Sequence, residues 1–156
     1  MVKPVFISYS TADTTTAEQI RDHLEAAGIA CWMAPRDIAP GEDYAEQIIN
    51  AIEGCTVLLL VLSESSNHSQ YVVKEVERAI AKRKVVIPFR IHDVTPSRSL
   101  EFFISNAQWI DAWQELLLDH LTGLTRAIRN QLGFAPTLSV LPAPLSSLQP
   151  VTPIPR

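Results

Sequence analysis

The sequence predicts an α/β domain built on a five-stranded parallel sheet with helices on both faces. Short apolar stretches alternate with amphipathic stretches five times over about 130 residues, an order that favours parallel strands joined by helices. The third apolar stretch, VLLLVL at residues 57–62, contains no polar position. Such a strand must be covered on both faces, so we expect it at the centre of the sheet.

Five stretches have the composition of strands. They are residues 5–9 (VFISY), 29–33 (IACWM), 57–62, 85–91 (VVIPFRI) and 107–111 (AQWID). Pro88 has no amide hydrogen, so we expect the fourth strand to lie toward an edge or to carry a bulge. Right-handed crossovers then favour the flavodoxin-like strand order 2-1-3-4-5.

The helices are predicted from apolar residues that recur every three or four positions. They cover residues 14–27, 44–52, 66–82 and 113–132, with a further short helix between residues 92 and 106. Gly28 and Gly133 follow the first and last of these, where a left-handed cap is favoured.

Charge and composition exclude several classes of function. The net charge is −4 and no basic block occurs, so no nucleic-acid-binding face is expected. The amino terminus lacks the features of a signal peptide, and no apolar stretch has the length of a membrane span. We therefore expect a cytoplasmic protein without membrane contact. Cys31 and Cys55 have no metal or redox spacing and are expected to be buried, reduced thiols.

The chain is expected to divide near residue 133, into a domain of residues 1–133 and a proline-rich segment of residues 134–156. Residues 135–156 hold six of the eleven prolines and no charge before Arg156. This composition predicts a semi-rigid, extended linker that leads to a missing second module. A disordered carboxyl terminus is the alternative.

Common catalytic and cofactor motifs do not occur. No G-x-G-x-x-G follows the first strand, no P-loop or G-x-S-x-G elbow is present, and the four histidines have no metal spacing. No metal and no resident cofactor are therefore expected.

One helical face remains as a candidate site. Tyr71 and Glu75 are four residues apart and share a face, next to the carboxyl end of the third strand. In open α/β sheets this edge binds ligands. By position alone, Glu75 is expected to face water, as charged helix residues usually do. Packing in the core is an equal alternative for Tyr71.

The order of the motifs identifies a family resemblance. The motifs are FISYS at residues 6–10 with Asp13, WMAPRD at 32–37 running to Pro40 and Gly41, LS at 62–63, and Ser66, Ser69, Tyr71 and Glu75 at the third helix. Over residues 3–132 this pattern resembles the TIR (Toll/interleukin-1 receptor) domain, in the style of bacterial members. The resemblance implies a flavodoxin-like fold and an NAD+ glycohydrolase that releases nicotinamide and yields ADP-ribose or a cyclic ADP-ribose.

The resemblance also implies roles for particular residues. Glu75 matches the catalytic glutamate of the family, and Tyr71 occupies a position where the family usually has tryptophan. Candidate substrate-binding residues are Tyr71, Ser8, Ser10, Asp13, Trp32 and Arg36. Residues 34–42 correspond to the BB loop, whose self-association residues would be Pro35, Asp37, Ile38, Pro40 and Gly41. Capping of the first helix is the alternative for Asp13, and packing beside the loop is the alternative for Trp32.

Two functions follow as expectations. The first is NAD+ cleavage that is activated by homotypic TIR–TIR association, in bacterial antiphage immunity, with NAD+ as substrate rather than cofactor. The second is a non-catalytic interaction module. The presence of Glu75 in the matching context favours the enzyme.

Overall fold

The computed structural model describes residues 3–113 and 117–133, which contain a five-stranded parallel sheet in the order β2-β1-β3-β4-β5. The strands are β1 (Val5–Ser8), β2 (Cys31–Trp32), β3 (Val57–Leu62), β4 (Val85–Arg90) and β5 (Ile110–Asp111). The flavodoxin-like class and the strand order predicted from the sequence are confirmed. All six side chains of β3 are buried, as expected for a central strand.

Helices cover both faces of the sheet. They are α1 (Thr14–Ala26), α2 (Tyr44–Gly54), α3 (Gln70–Ala81), α4 (Arg98–Ile104) and α5 (Leu117–Leu132). Apolar residues of α1 and α5 form one core with the sheet, and those of α2, α3 and α4 form the other. The candidate face of α3 therefore lies on the α2 side of the sheet.

The third helix begins later than the sequence predicted. Ser66–His68 form a single 3-10 turn, and α3 starts at Gln70. Ser69 is extended, and its hydroxyl accepts a hydrogen bond from the amide of Val72 at 3.3 Å. This N-cap satisfies an amide that has no partner inside the helix, and it places Glu75 in the second turn.

The structure explains why β4 tolerates a proline. The amides of Val85 and Ile91 both donate toward β3, so the odd-numbered amides of β4 face that neighbour. The nitrogen of Pro88 faces the other side, where β5 pairs with β4 only from Phe89 onward. In the sheet, β4 lies next to the edge strand β5, and its pairing with β3 contains no bulge.

The two outer strands are shorter than predicted, since β2 and β5 each hold two residues. Gly28 and Gly133 have the predicted left-handed backbone, with φ of +85° and +81°. The last helix was predicted to begin at residue 113, but that residue is not helical. Residues 114–116 of the predicted helix and the predicted linker at residues 134–156 lie outside the described residues.

Both cysteines are buried and free, as predicted. Burial raises the pKa of Cys31 to about 12 and that of Cys55 to about 11, so both are thiols at neutral pH. Among the helices of the described residues, none combines the length and apolar character needed to cross a bilayer.

Candidate active site

The carboxylate of Glu75 lies against the carboxyl end of β1. Val72 and Val76 of the same helix are buried against the sheet, which turns the neighbouring Glu75 toward the strand ends. The hydroxyl of Ser8, the last residue of β1, donates to Glu75 Oε1 at 2.7 Å. The carboxylate of Glu75 is thus held by a residue of the central part of the sheet.

The environment of Glu75 favours its neutral form. Burial raises its pKa to about 7, and the hydrogen bond from Ser8 opposes this rise. Lys74 and Arg78 are near in sequence, but neither forms an ion pair with Glu75 in the described part of the chain; Arg78 instead contacts Glu53 at 3.5 Å. Glu75 is therefore a half-buried, uncompensated carboxylate and not one of the solvated charges of a helix surface.

A cleft of about 590 Å³ opens above Glu75. Its walls come from the end of β1, the loop after β2, and the first turns of α2 and α3. The lining residues are Phe6, Ile7, Tyr9, Ser10, Thr11, Ala34, Pro35, Tyr44, Ile48, Ser69, Tyr71 and Glu75. A second groove, of about 640 Å³, runs between α2 and α3 and shares Tyr44, Ile48, Tyr71 and Glu75 with the cleft.

Three tyrosines line the cleft together with Glu75. Tyr71 is 81% exposed and Tyr44 is 56% exposed, so both rings are available to a ligand. The high exposure of Tyr71 excludes the alternative of core packing. The hydroxyl of Tyr9 donates to the carbonyl of Ala34 and ties the loop after β2 to β1.

Sequence reasoning missed Tyr9 and Tyr44 as parts of the site. Tyr44 is in register with Ile48 and Ile52, so its pattern indicated only a buried helical stripe. A usable signal was its place as the first residue of α2, directly after the Pro/Gly-rich loop. Tyr9 follows β1 at the edge where ligands bind in such sheets.

Of the other predicted substrate-binding residues, some line the cleft and some do not. Ser10 lines the cleft. Trp32 is not among the lining residues; its ring stacks on Phe6, with centroids 5.0 Å apart and planes 9° apart. Asp13 is buried and accepts a hydrogen bond from Ser63, and its side chain makes no capping bond to α1. Asp13 therefore joins the loops after β1 and β3 instead of facing the cleft.

Arg36 also points away from the cleft. Its guanidinium binds both carboxylate oxygens of Glu25 in α1, at 3.0 and 2.8 Å, and the carbonyl of Cys31 at 2.6 Å. Its hydrogen bond to Glu25 is the main reason that its pKa is raised. In this arrangement Arg36 shapes the loop, and a phosphate contact would require it to leave Glu25.

The middle of the loop is anchored to the rest of the domain at Asp37 and Ala39. Asp37 binds Lys3 Nζ at 2.8 Å and the amide of Met33 at 2.9 Å. The side chain of Gln47 both donates to and accepts from the backbone of Ala39. Of the predicted self-association residues, Pro35 lines the cleft, Ile38 is half-buried, and Pro40 and Gly41 are exposed.

The fold is that of a flavodoxin-like domain, and the cleft lies at the carboxyl ends of its strands, the edge where ligands bind in sheets of this kind. The model of the TIR domain family matches residues 5–126, and the chain therefore belongs to this family.

Two curated proteins and one solved structure are similar to this chain. A Brachypodium distachyon protein named probable 2' cyclic ADP-D-ribose synthase BdTIR is 34% identical over 95 residues, which cover 60% of this chain and 42% of that protein. The stimulator of interferon genes protein of Magallana gigas is 39% identical over 67 residues, covering 42% of this chain and 16% of that protein. The chain thus spans less than half the length of these curated relatives.

Among solved structures, the crystal structure of the TIR domain of the Toll-related receptor TRR-2 from Hydra magnipapillata superposes with a TM-score of 0.68. The two sequences are 24% identical, and the match covers 83% of this chain and 100% of the Hydra magnipapillata chain. This similarity supports the fold.

Proposed function

We propose that this TIR domain is an NAD+ glycohydrolase in which Glu75 is the catalytic carboxylate. The observation that carries the proposal is the carboxylate itself, which is half-buried, lacks an ion-pair partner in the described residues, and lies at the base of an aromatic-walled cleft. An unpaired, half-buried charge destabilises the folded state, and carboxylates in such surroundings are therefore concentrated at functional sites. The name of the Brachypodium distachyon relative, a probable cyclic ADP-D-ribose synthase, supports the same chemistry.

A single carboxylate is sufficient for this reaction. Most glycosidases need a second acid to protonate the leaving oxygen. Nicotinamide in NAD+ is already cationic; when the C–N bond to the ribose breaks, the electron pair goes to the ring nitrogen and neutral nicotinamide departs. The remaining requirement is to stabilise positive charge on the ribose, which an ionised Glu75 supplies electrostatically.

The rings beside Glu75 provide a binding surface for planar bases. Tyr44 and Tyr71 are exposed at the junction of the cleft and the groove, so their faces can stack on nicotinamide or adenine. Ser10 is placed to contact ribose or phosphate oxygens. Capture of the ribosyl cation by water gives ADP-ribose, and capture by a group of the same molecule gives a cyclic ADP-ribose.

We further propose that activity depends on homotypic association, in a cytoplasmic role in antiphage defence. Pro35 belongs to the loop that lines the cleft, while Pro40 and Gly41 of the same loop are exposed. A neighbouring domain that contacts the exposed part could therefore alter the cleft wall.

Incubation of NAD+ with concentrated protein, followed by chromatography of the products, tests this function. We expect nicotinamide together with ADP-ribose or a cyclic isomer, and no nicotinamide from Glu75→Ala at equal folded concentration. Turnover per protomer should rise steeply with protein concentration or forced clustering. Equal NAD+ loss in Glu75→Ala would contradict the catalytic assignment, and turnover that is independent of concentration would contradict activation by association.

A non-catalytic interaction module is the second candidate, favoured by the groove between α2 and α3. This groove is lined largely by apolar side chains such as Ile49 and Ile52, and it is open to solvent at Tyr44 and Tyr71. The same incubation separates the two functions, because an interaction module leaves NAD+ intact at every protein concentration.

A further inference from the structure

Ser8 is a buried strand residue whose hydroxyl is committed to Glu75. Its exposure is 0%, and its Oγ donates to Glu75 Oε1 at 2.7 Å. Among residues 3–113 and 117–133, this is the one hydrogen bond made by the Glu75 carboxylate. Oε1 is therefore held by the sheet, and Oε2 has no hydrogen-bond partner among these residues.

This contact is not the usual way in which a buried hydroxyl is satisfied. Thr125, a buried hydroxyl in α5, donates to the carbonyl of Leu121 one turn earlier in its own helix. Ser8 instead donates to a side chain 67 residues away in sequence. Ser8 pairs with Leu60 of the central strand β3, so it stands on the sheet itself and not on a loop. Groups held on rigid elements position a reactive side chain precisely.

We propose that Ser8 is a positioning residue that fixes one oxygen of Glu75, so that the other oxygen faces the ribose of the substrate. This role rests on the proposed NAD+ cleavage and replaces the direct substrate contact predicted for Ser8 from the sequence. The hydroxyl has a single proton to donate. Because the hydroxyl donates that proton to Glu75 in a hydrogen bond, Ser8 acts on the reaction through the carboxylate.

The same bond bears on the ionisation of Glu75. The titratable groups that line the cleft and the groove are Tyr9, Tyr44, Tyr71, Lys74, Glu77 and Arg78. None of them contributes to the shift of Glu75, whose pKa is raised by burial and lowered by Ser8. Removing the hydroxyl therefore raises the pKa of Glu75 further and leaves less of the ionised form at neutral pH.

A carboxyl ¹³C NMR titration of the substrate-free protein tests the coupling without relying on catalysis. The Glu75 signal is assigned by its loss in Glu75→Gln. We expect a midpoint of about 7 in the wild type and a midpoint about one pH unit higher in Ser8→Ala, the size of a hydrogen bond to a charged group. Thr125→Val, which removes a buried hydroxyl on the opposite face of the sheet, should leave the midpoint unchanged.

Kinetics of nicotinamide release in the same variants tests the positioning role. Ser8→Ala should shift the pH–rate profile upward by the same amount and lower kcat roughly 10-fold even where Glu75 is ionised, with KM unchanged. Ser8→Thr, which keeps a hydroxyl, should restore the titration midpoint and most of kcat. Equal midpoints in wild type and Ser8→Ala overturn the role of Ser8 even where NAD+ is cleaved. A wild type that releases no nicotinamide overturns the proposed function, whatever the titration gives.

Discussion

Two carboxylates of this domain, Asp37 in the loop after β2 and Glu75 in α3, have opposite surroundings. Asp37 is bound by Lys3, by Arg36 and by the amide of Met33. Burial alone would raise its pKa, but these hydrogen bonds outweigh burial and the pKa is lowered. Glu75 is bound by a neutral hydroxyl, and burial raises its pKa to about 7.

The difference separates a carboxylate that stabilises the fold from one that the fold must accommodate. A compensated charge such as Asp37 contributes to stability when ionised. An uncompensated, half-buried charge such as Glu75 costs stability when ionised, and such groups are concentrated at functional sites. Nearness in sequence does not distinguish them, since Glu75 lies beside Lys74 and three residues before Arg78.

Replacement of Glu75 should have the largest effect and should move activity and stability in opposite directions. Glu75→Gln is expected to lower nicotinamide release at least about 100-fold, because the charge that stabilises the ribosyl cation is lost. It should also raise the free energy of unfolding at pH 8 by about 3 kcal/mol, measured by urea denaturation.

The pH dependence of that gain provides its control. The ordinary pKa of a glutamate side chain is 4.5, and burial raises that of Glu75 to about 7 in the fold. The folded state thus keeps a proton that the unfolded state has lost between these values, and stability falls as pH rises through this window. The gain in Glu75→Gln should be full at pH 8 and small at pH 5. An equal gain at both pH values would contradict an uncompensated carboxylate.

Tyr71 should affect substrate binding without affecting stability. Its ring is 81% exposed, so Tyr71→Ala is expected to leave the midpoint of urea unfolding unchanged. Loss of stacking on a base should raise KM for NAD+ about 10-fold, while Tyr71→Trp should retain or lower KM. Phe102→Ala on α4 is the matched control, since that ring is 80% exposed and lies outside the cleft. Equal KM values in the two alanine variants would remove Tyr71 from the site.

Replacement of Asp37 should have the smallest effect on activity and should lower stability. Asp37→Asn loses the charge that holds Lys3 and Arg36, and we expect a loss of about 1 kcal/mol at pH 7. Because the pKa of Asp37 is lowered in the fold, this contribution is present above the unfolded value of 3.8 and disappears as pH falls through the folded value. Asp22→Asn, at an exposed pair with Arg21, is the control and should change stability less. An equal loss in both variants would contradict the anchoring role of Asp37.

Local pattern was sufficient for much of the fold and for the choice of Glu75 as the candidate catalytic residue. The uniform apolar run of β3 predicted a central strand, and the motif order predicted Glu75. Contacts between distant residues were not predictable in the same way, because a sequence does not state which side chains meet. The bond from Ser8 to Glu75, the pairing of Arg36 with Glu25, and the exposure of Tyr44 all depend on tertiary packing. Likewise, because Ser69 caps the helix, α3 begins at Gln70 and not at residue 66 as predicted.

The pH dependence of nicotinamide release tests the central claim most directly. If ionised Glu75 stabilises the ribosyl cation, kcat/KM should rise with pH through a single step near 7 and then level off, because burial places the pKa of this carboxyl in the free enzyme at about 7. The step should be absent from the residual activity of Glu75→Gln. A wild-type kcat/KM that is constant from about pH 5 to 9, or that falls as pH rises through 7, would contradict the assignment of Glu75 as the ionised catalytic group.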